Sequence, residues 1–98
     1  MAFAIEYSFP AREQLKGFRK RDQQIIVDEV DIQLSYEPDR PTRRRKRLEQ
    51  NPIAPWVLRV GDFRVFYDVN TEDQLVVVLG VGRKIHDRLF IGGEEVKL

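Results

Sequence analysis

Trp56-Val57-Leu58-Arg59-Val60-Gly61-Asp62-Phe63-Arg64-Val65-Phe66-Tyr67-Asp68-Val69 decides the fold. Two runs rich in aromatic and β-branched residues flank Gly61-Asp62, a two-residue hairpin turn in the less usual order. Alternation puts Leu58, Val60, Phe63 and Val65 toward a covered face and Arg59 with Arg64 toward the open one. A third run, Leu75 to Val81, follows a turn at Asn70 to Asp73. Its Val76-Val77-Val78-Leu79 core is apolar on both faces, as a central strand requires. The second half of the chain is therefore predicted to be a three-stranded antiparallel meander with one face covered and one free.

The cover must come from the first half. Phe3, Ile5 and Tyr7 alternate with Ala4, Glu6 and Ser8, the period of a half-buried strand over residues 2–8. Pro10 suits a first helical turn, Ala11 to Lys16 are good helix formers, and Gly17 ends the segment. A second helix is predicted from Arg19 to Tyr36, with Ile26, Val27, Val30 and Leu34 inward, stopped by Pro38 and Pro41. Residues 37–55 then form a long connection with four prolines, a length that in a compact domain is usually functional or mobile. The tail breaks at Gly92-Gly93 before the β-prone Glu94 to Leu98. The prediction is one α+β domain over residues 1–98: a strand, a helical hairpin and the meander packed on it.

Charge narrows the function. Among the 98 residues, 34% are charged and the net charge is only +1, but the signs are segregated. Arg40 to Arg47 contains no acid and includes the unbroken run Arg43-Arg44-Arg45-Lys46-Arg47. Acids cluster instead between Asp22 and Asp31 and near Glu72 and Asp73, so a local positive field survives the near-neutral total. The chain has no cysteine and one histidine, which leaves no thiolate nucleophile and no His-based metal set. Neither glycine-rich phosphate loop occurs. No metal and no small-molecule cofactor is expected. With no apolar run near 18 residues and no leader-like start, no membrane partner is expected and a cytoplasmic location is.

What remains is a set of cations: Arg44, Arg45, Lys46, Arg47, Arg59, Arg64, Arg83, Lys84 and Arg88, with His86. Arginine forks match phosphates, and aromatic side chains such as Trp56, Phe63 and Phe90 can stack on bases, so the set points to RNA.

The hairpin Leu58-Arg59-Val60-Gly61-Asp62-Phe63-Arg64-Val65-Phe66-Tyr67, followed by Val81-Gly82-Arg83-Lys84, resembles the RelE/ParE superfamily of bacterial type II toxins, and the predicted element order agrees throughout. The resemblance implies a microbial-RNase-like fold and a cognate antitoxin protein. It implies either of two activities: cleavage of messenger RNA on the ribosome, or non-enzymatic poisoning of DNA gyrase. A third possibility is a non-toxic relative that only binds RNA or a partner. Under the first activity, Arg59, Arg64 and Lys84 match the family's catalytic cations. Phe90 falls where the RelE type often carries tyrosine and Val57 where lysine is frequent, which moves the chemistry onto other groups. The catalytic set expected from the sequence is Arg64 as transition-state clamp, Lys84 or His86 as proton carrier, and Arg59 beside them. The RNA-binding set is Arg44, Arg45, Lys46, Arg47, Arg83, Arg88 and Phe90. The cationic loop 43–47 is expected to meet ribosomal RNA or an acidic antitoxin segment.

Overall fold

A computed structural model describes residues 2–98. It has strand β1 (Ala4–Tyr7), helices α1 (Phe9–Lys16) and α2 (Lys20–Leu34), and strands β2 (Arg45–Arg47), β3 (Trp56–Val60), β4 (Phe63–Asn70), β5 (Leu75–Ile85), β6 (Arg88–Ile91) and β7 (Glu94–Val96). The α+β class and the helical hairpin stand as predicted. The sheet is larger than a meander, running β2-β3-β4-β5-β6-β7, with β1 added parallel to the first half of β5. β5 is central, as its two-sided apolar core requires: β4 lies along one edge, with β1 and then β6 along the other.

The helices cover one face. Ile26, Val30 and Leu34 of α2 and Ala11 of α1 pack on Leu58, Val60, Phe63, Val65, Tyr67, Val76, Val78 and Val81. Ser8 caps α1, its hydroxyl accepting from the Ala11 N–H at 3.2 Å. The expectation of a free opposite face needs correction. Ala54, Val57 and Phe66 form a second buried cluster there, flanked by Leu48, Ile53, Leu79, Leu89 and Ile91. The 48–54 loop can lie over it because Asn51 ties the loop internally. Its Oδ1 accepts from the Ile53 and Ala54 N–H groups at 2.8 and 3.1 Å, and its Nδ2 donates to the Glu49 and Ala54 carbonyls at 2.8 Å each.

A register shift between Phe66 and Tyr67 leaves Leu79 of β5 without a partner on β4, a bulge that lets Val78 and Val81 both face the helices while Leu79 joins the second cluster. Gln14 of α1 holds this point, its Oε1 accepting from the Val81 N–H at 2.8 Å. Just beyond, a Cβ at Gly82 would stand 2.6 Å from the Phe90 carbonyl oxygen. Only glycine permits β6 to approach β5 so closely there.

Two buried phenols link the core to pH. The Tyr67 hydroxyl donates to the Pro38 carbonyl at 2.8 Å, and burial raises its pKa above the ordinary tyrosine value, the Arg45 charge opposing and Asp39 adding. Burial, with a lesser effect of Asp31, pushes the Tyr7 hydroxyl up to about 12. A phenol raised on folding stabilises fully below its unfolded pKa near 10 and loses that contribution as pH climbs toward the folded value. The urea midpoint is therefore expected to hold up to about pH 9.5 and to fall between about pH 10 and 12. The Tyr7→Phe, Tyr67→Phe double variant should show a shallower fall in the same titration.

Candidate nucleic-acid interface

On the face away from the helices, β3, β4, β5 and the edge strands enclose an open cleft of about 550 Å³. Its floor is apolar, made by Leu48, Val57, Phe66 and Leu89, and one side is the segment from Glu95 to Leu98. Five of the cations singled out in the sequence line it: Lys46, Arg59, Arg64, Lys84 and Arg88. They arrive from five strands or their ends, brought together by register. Arg59 lies directly across from Arg64, and Lys46 is paired with the cleft-facing Val57. None of the five takes part in an ion pair among the described residues, so their charges add rather than cancel.

Arg64 is the most constrained of them. Its Nη1 donates to the Gly61 and Phe63 carbonyls at 2.8 and 2.9 Å, which fixes the guanidinium over the β3–β4 turn. The Nε and Nη2 hydrogens remain for an anion. Burial first, and then the neighbouring Arg59, hold Arg64 below the ordinary arginine pKa, with Asp62 opposing. An anion placed between the two guanidiniums would relieve that repulsion. The base of the next strand is secured nearby, the Lys84 N–H donating to the Asp62 carbonyl at 2.7 Å.

The remaining predicted residues lie elsewhere, for reasons that strand alternation makes plain. The last three residues of the cationic run form strand β2, and so their side chains part to opposite faces. Arg47 pairs with Trp56 and holds its guanidinium 5.7 Å from that ring's centroid. Arg45 pairs with Leu58 and turns under α2, 8% exposed, where Nη1 donates to the carbonyls of Gln33, Tyr36 and Glu37 at 2.8, 3.1 and 2.9 Å. Its expected RNA contact is corrected: Arg45 serves the orphan carbonyls at the end of α2. Arg44 pairs with Glu29 of α2 at 3.2 Å and lines a second groove of about 800 Å³ with Ile25, Arg43, Val60 and Gly61, reached also by Arg59.

Phe90 is the register partner of Arg83, and Arg83 stacks on Phe63 of the helix-side core. Both therefore belong to the face away from the cleft, so Phe90 and Arg83 of the expected RNA-binding set do not join the cleft cations. His86 sits at the tip of the β5–β6 turn with φ 48° and does not line the cleft. Sequence reading missed the carboxylates there. Asp87, in the β5–β6 turn, and Glu95 of β7 also border the cleft; Glu95 is the register partner of Phe90, a pairing that turns its side chain to the other face.

A helical hairpin over one face of a largely antiparallel sheet is the fold this chain shares with solved RelE toxins. The toxin–antitoxin complex RelBE2 from Mycobacterium tuberculosis superposes with a TM-score of 0.75 at 25% identity, covering 86% of this chain and 93% of the matched one. The archaeal RelE–RelB complex from Pyrococcus horikoshii OT3 gives a TM-score of 0.66 at 25% identity, covering 83% and 93%. The family profile described as the ParE toxin of type II toxin–antitoxin systems, parDE, matches residues 5–87. The chain belongs to that family and is a toxin of the type II class. No curated protein sequence matches it significantly.

Proposed function

We propose that the protein blocks translation as a ribosome-dependent endonuclease that takes messenger RNA into the cationic cleft. One observation carries this reading: Lys46, Arg59, Arg64, Lys84 and Arg88 converge on one cleft without an ion-pair partner among the described residues. Cleavage forms a bond from the 2′-oxygen to phosphorus and breaks the bond from phosphorus to the 5′-oxygen. The 2′-hydroxyl proton passes to the cleft carboxylate Asp87, and the Lys84 ammonium supplies a proton to the departing 5′-oxygen. Arg64 and Arg59 hold the crowded phosphate as its charge grows. No step calls on a metal. A cognate antitoxin neutralises the toxin, as the toxin–antitoxin complexes formed by its structural relatives suggest.

Binding to a short, non-cleavable single-stranded RNA tests the first half of this reading. With four to five phosphates engaged, the logarithm of affinity should fall against the logarithm of salt with a slope of about −3. Arg64→Ala should weaken binding and flatten that slope by about 0.7. An unchanged slope would remove Arg64 from the contact.

A second reading, a non-enzymatic inhibitor of DNA gyrase, draws on one feature: among the described residues the cleft is lined by no tyrosine and no histidine. Inhibition of supercoiling by the purified protein, with messenger left intact, would favour it.

A further inference from the structure

The outer face of α2 is charged against its own dipole. Its first turn carries Lys20 and Arg21 behind the N-cap Arg19, which makes no side-chain capping bond. Its last turn has no basic residue and begins with Asp31. A helix favours the reverse, anions at its start and cations at its end. Asp22 alone follows that rule in the first turn, and it lies 3.6 Å from Arg19. Arg21, Ile25, Asp28 and Ile32 recur at alternating steps of four and three residues, so they form one ridge on the outer face, with Tyr36 just past the helix end. Ile25, Ile32 and Tyr36 are 42%, 66% and 65% exposed. Neither buried cluster nor the cleft takes in any of the three.

We infer that this ridge is a self-association surface, on which α2 of a second copy docks antiparallel about a two-fold axis beside Asp28. A two-fold requires the patch to complement itself, and this one does. With the axis between Asp28 and Glu29, Ile25 meets Ile32 of the second copy and Arg21 meets its Tyr36, each contact occurring twice. The cationic first turn then lies beside the acidic far end, Asp31 and Glu37, and the two helix dipoles oppose one another. A purely basic partner helix would answer Asp28 and Asp31 but leave Lys20 and Arg21 against like charge; a second copy answers both ends. The unfavourable contact is at the axis, where Asp28 approaches Glu29 of the second copy. Arg44, 3.2 Å from its own Glu29, offsets part of that repulsion. Helices of about 22 Å meeting along one ridge bury less than the roughly 1,200 Å² at which stable interfaces begin, so the dimer is weak and reversible. The helices cover the face opposite the cleft, so pairing leaves both clefts open and the inference stands apart from the RNA reading.

Sedimentation equilibrium of the purified protein over a wide concentration range tests this, comparing wild type with Ile32→Glu, Arg21→Glu and Asp28→Asn, each checked for folding by circular dichroism. The wild type is expected to pass from monomer to dimer as concentration rises. Ile32→Glu should raise the dissociation constant by at least about tenfold, because the change enters the interface twice. Arg21→Glu should raise it by less. Asp28→Asn should lower it by about threefold, since it relieves the contact at the axis. A wild type that stays monomeric at every concentration would overturn the inference, as would a dimer indifferent to Ile32→Glu. Weaker association in Asp28→Asn would also overturn it, because a cationic surface and not a second α2 would then face that carboxylate. A monomer whose Ile32→Glu form loses antitoxin binding would assign the ridge to the antitoxin instead.

Discussion

Arg45→Met is expected to lower the melting temperature by more than about 10 °C, the largest stability loss among the cationic residues. The variant keeps most of the buried stem but removes a charged donor from three carbonyls at the end of α2. Hydrogen bonds from a charged group contribute about 1.5–3 kcal/mol each, and shared geometry on a single nitrogen reduces their sum, so a total cost of roughly 3 kcal/mol is reasonable. At about 4–8 °C per kcal/mol for a domain of this size, the shift should be obvious in a thermal melt followed by circular dichroism. Arg47→Met, one step along the same strand and facing Trp56, should shift the melt by a few degrees at most. Equal melting for both variants would mean that Arg45 is not the anchor described.

The second large effect is on activity. Arg64→Ala is expected to reduce ribosome-dependent messenger cleavage by about 10²–10³-fold, the usual cost of removing one preorganised donor from a developing oxyanion. Stability should change little, because Arg64 bonds only to carbonyls of its own turn, Gly61 and Phe63. Arg64→Lys should recover only part of the rate, since a point charge replaces a fork that is already oriented. Measuring single-turnover cleavage on stalled ribosomes separates this from any change in binding. A full rate in Arg64→Ala would remove it from the transition state.

The reach of sequence reasoning differs from element to element. Strands β3, β4 and the first part of β5 were legible because aromatic and β-branched residues alternate without interruption, and the two helices because of their period and the proline and glycine at their ends. β2 was hidden because Arg45-Lys46-Arg47 lack strand propensity; they pair only because Leu58, Val57 and Trp56 present a free edge. That concealment carried through to the site. Read as a loop, the five cations share one surface; read as a strand, Lys46 goes to the cleft, Arg45 beneath α2 and Arg47 to Trp56. The face that Phe90 and Arg83 take was not legible for a related reason, since no short pattern discloses which face a hairpin beyond the bulge at Leu79 will present. The parallel pairing of β1 with β5 joins residues some 70 positions apart, and local periodicity holds no record of it. Arg59 and Arg64 were legible as a pair because the turn between them sets the register.

Mapping of new 5′ ends on a messenger in a cell-free translation reaction, with and without ribosomes and with wild type beside Arg64→Ala, tests the central claim most directly. The account predicts cuts that appear only on translating ribosomes, persist with divalent metal limited to what the ribosome itself needs, and fade in Arg64→Ala. Intact messenger with the wild-type protein, or undiminished cutting by Arg64→Ala, would contradict it.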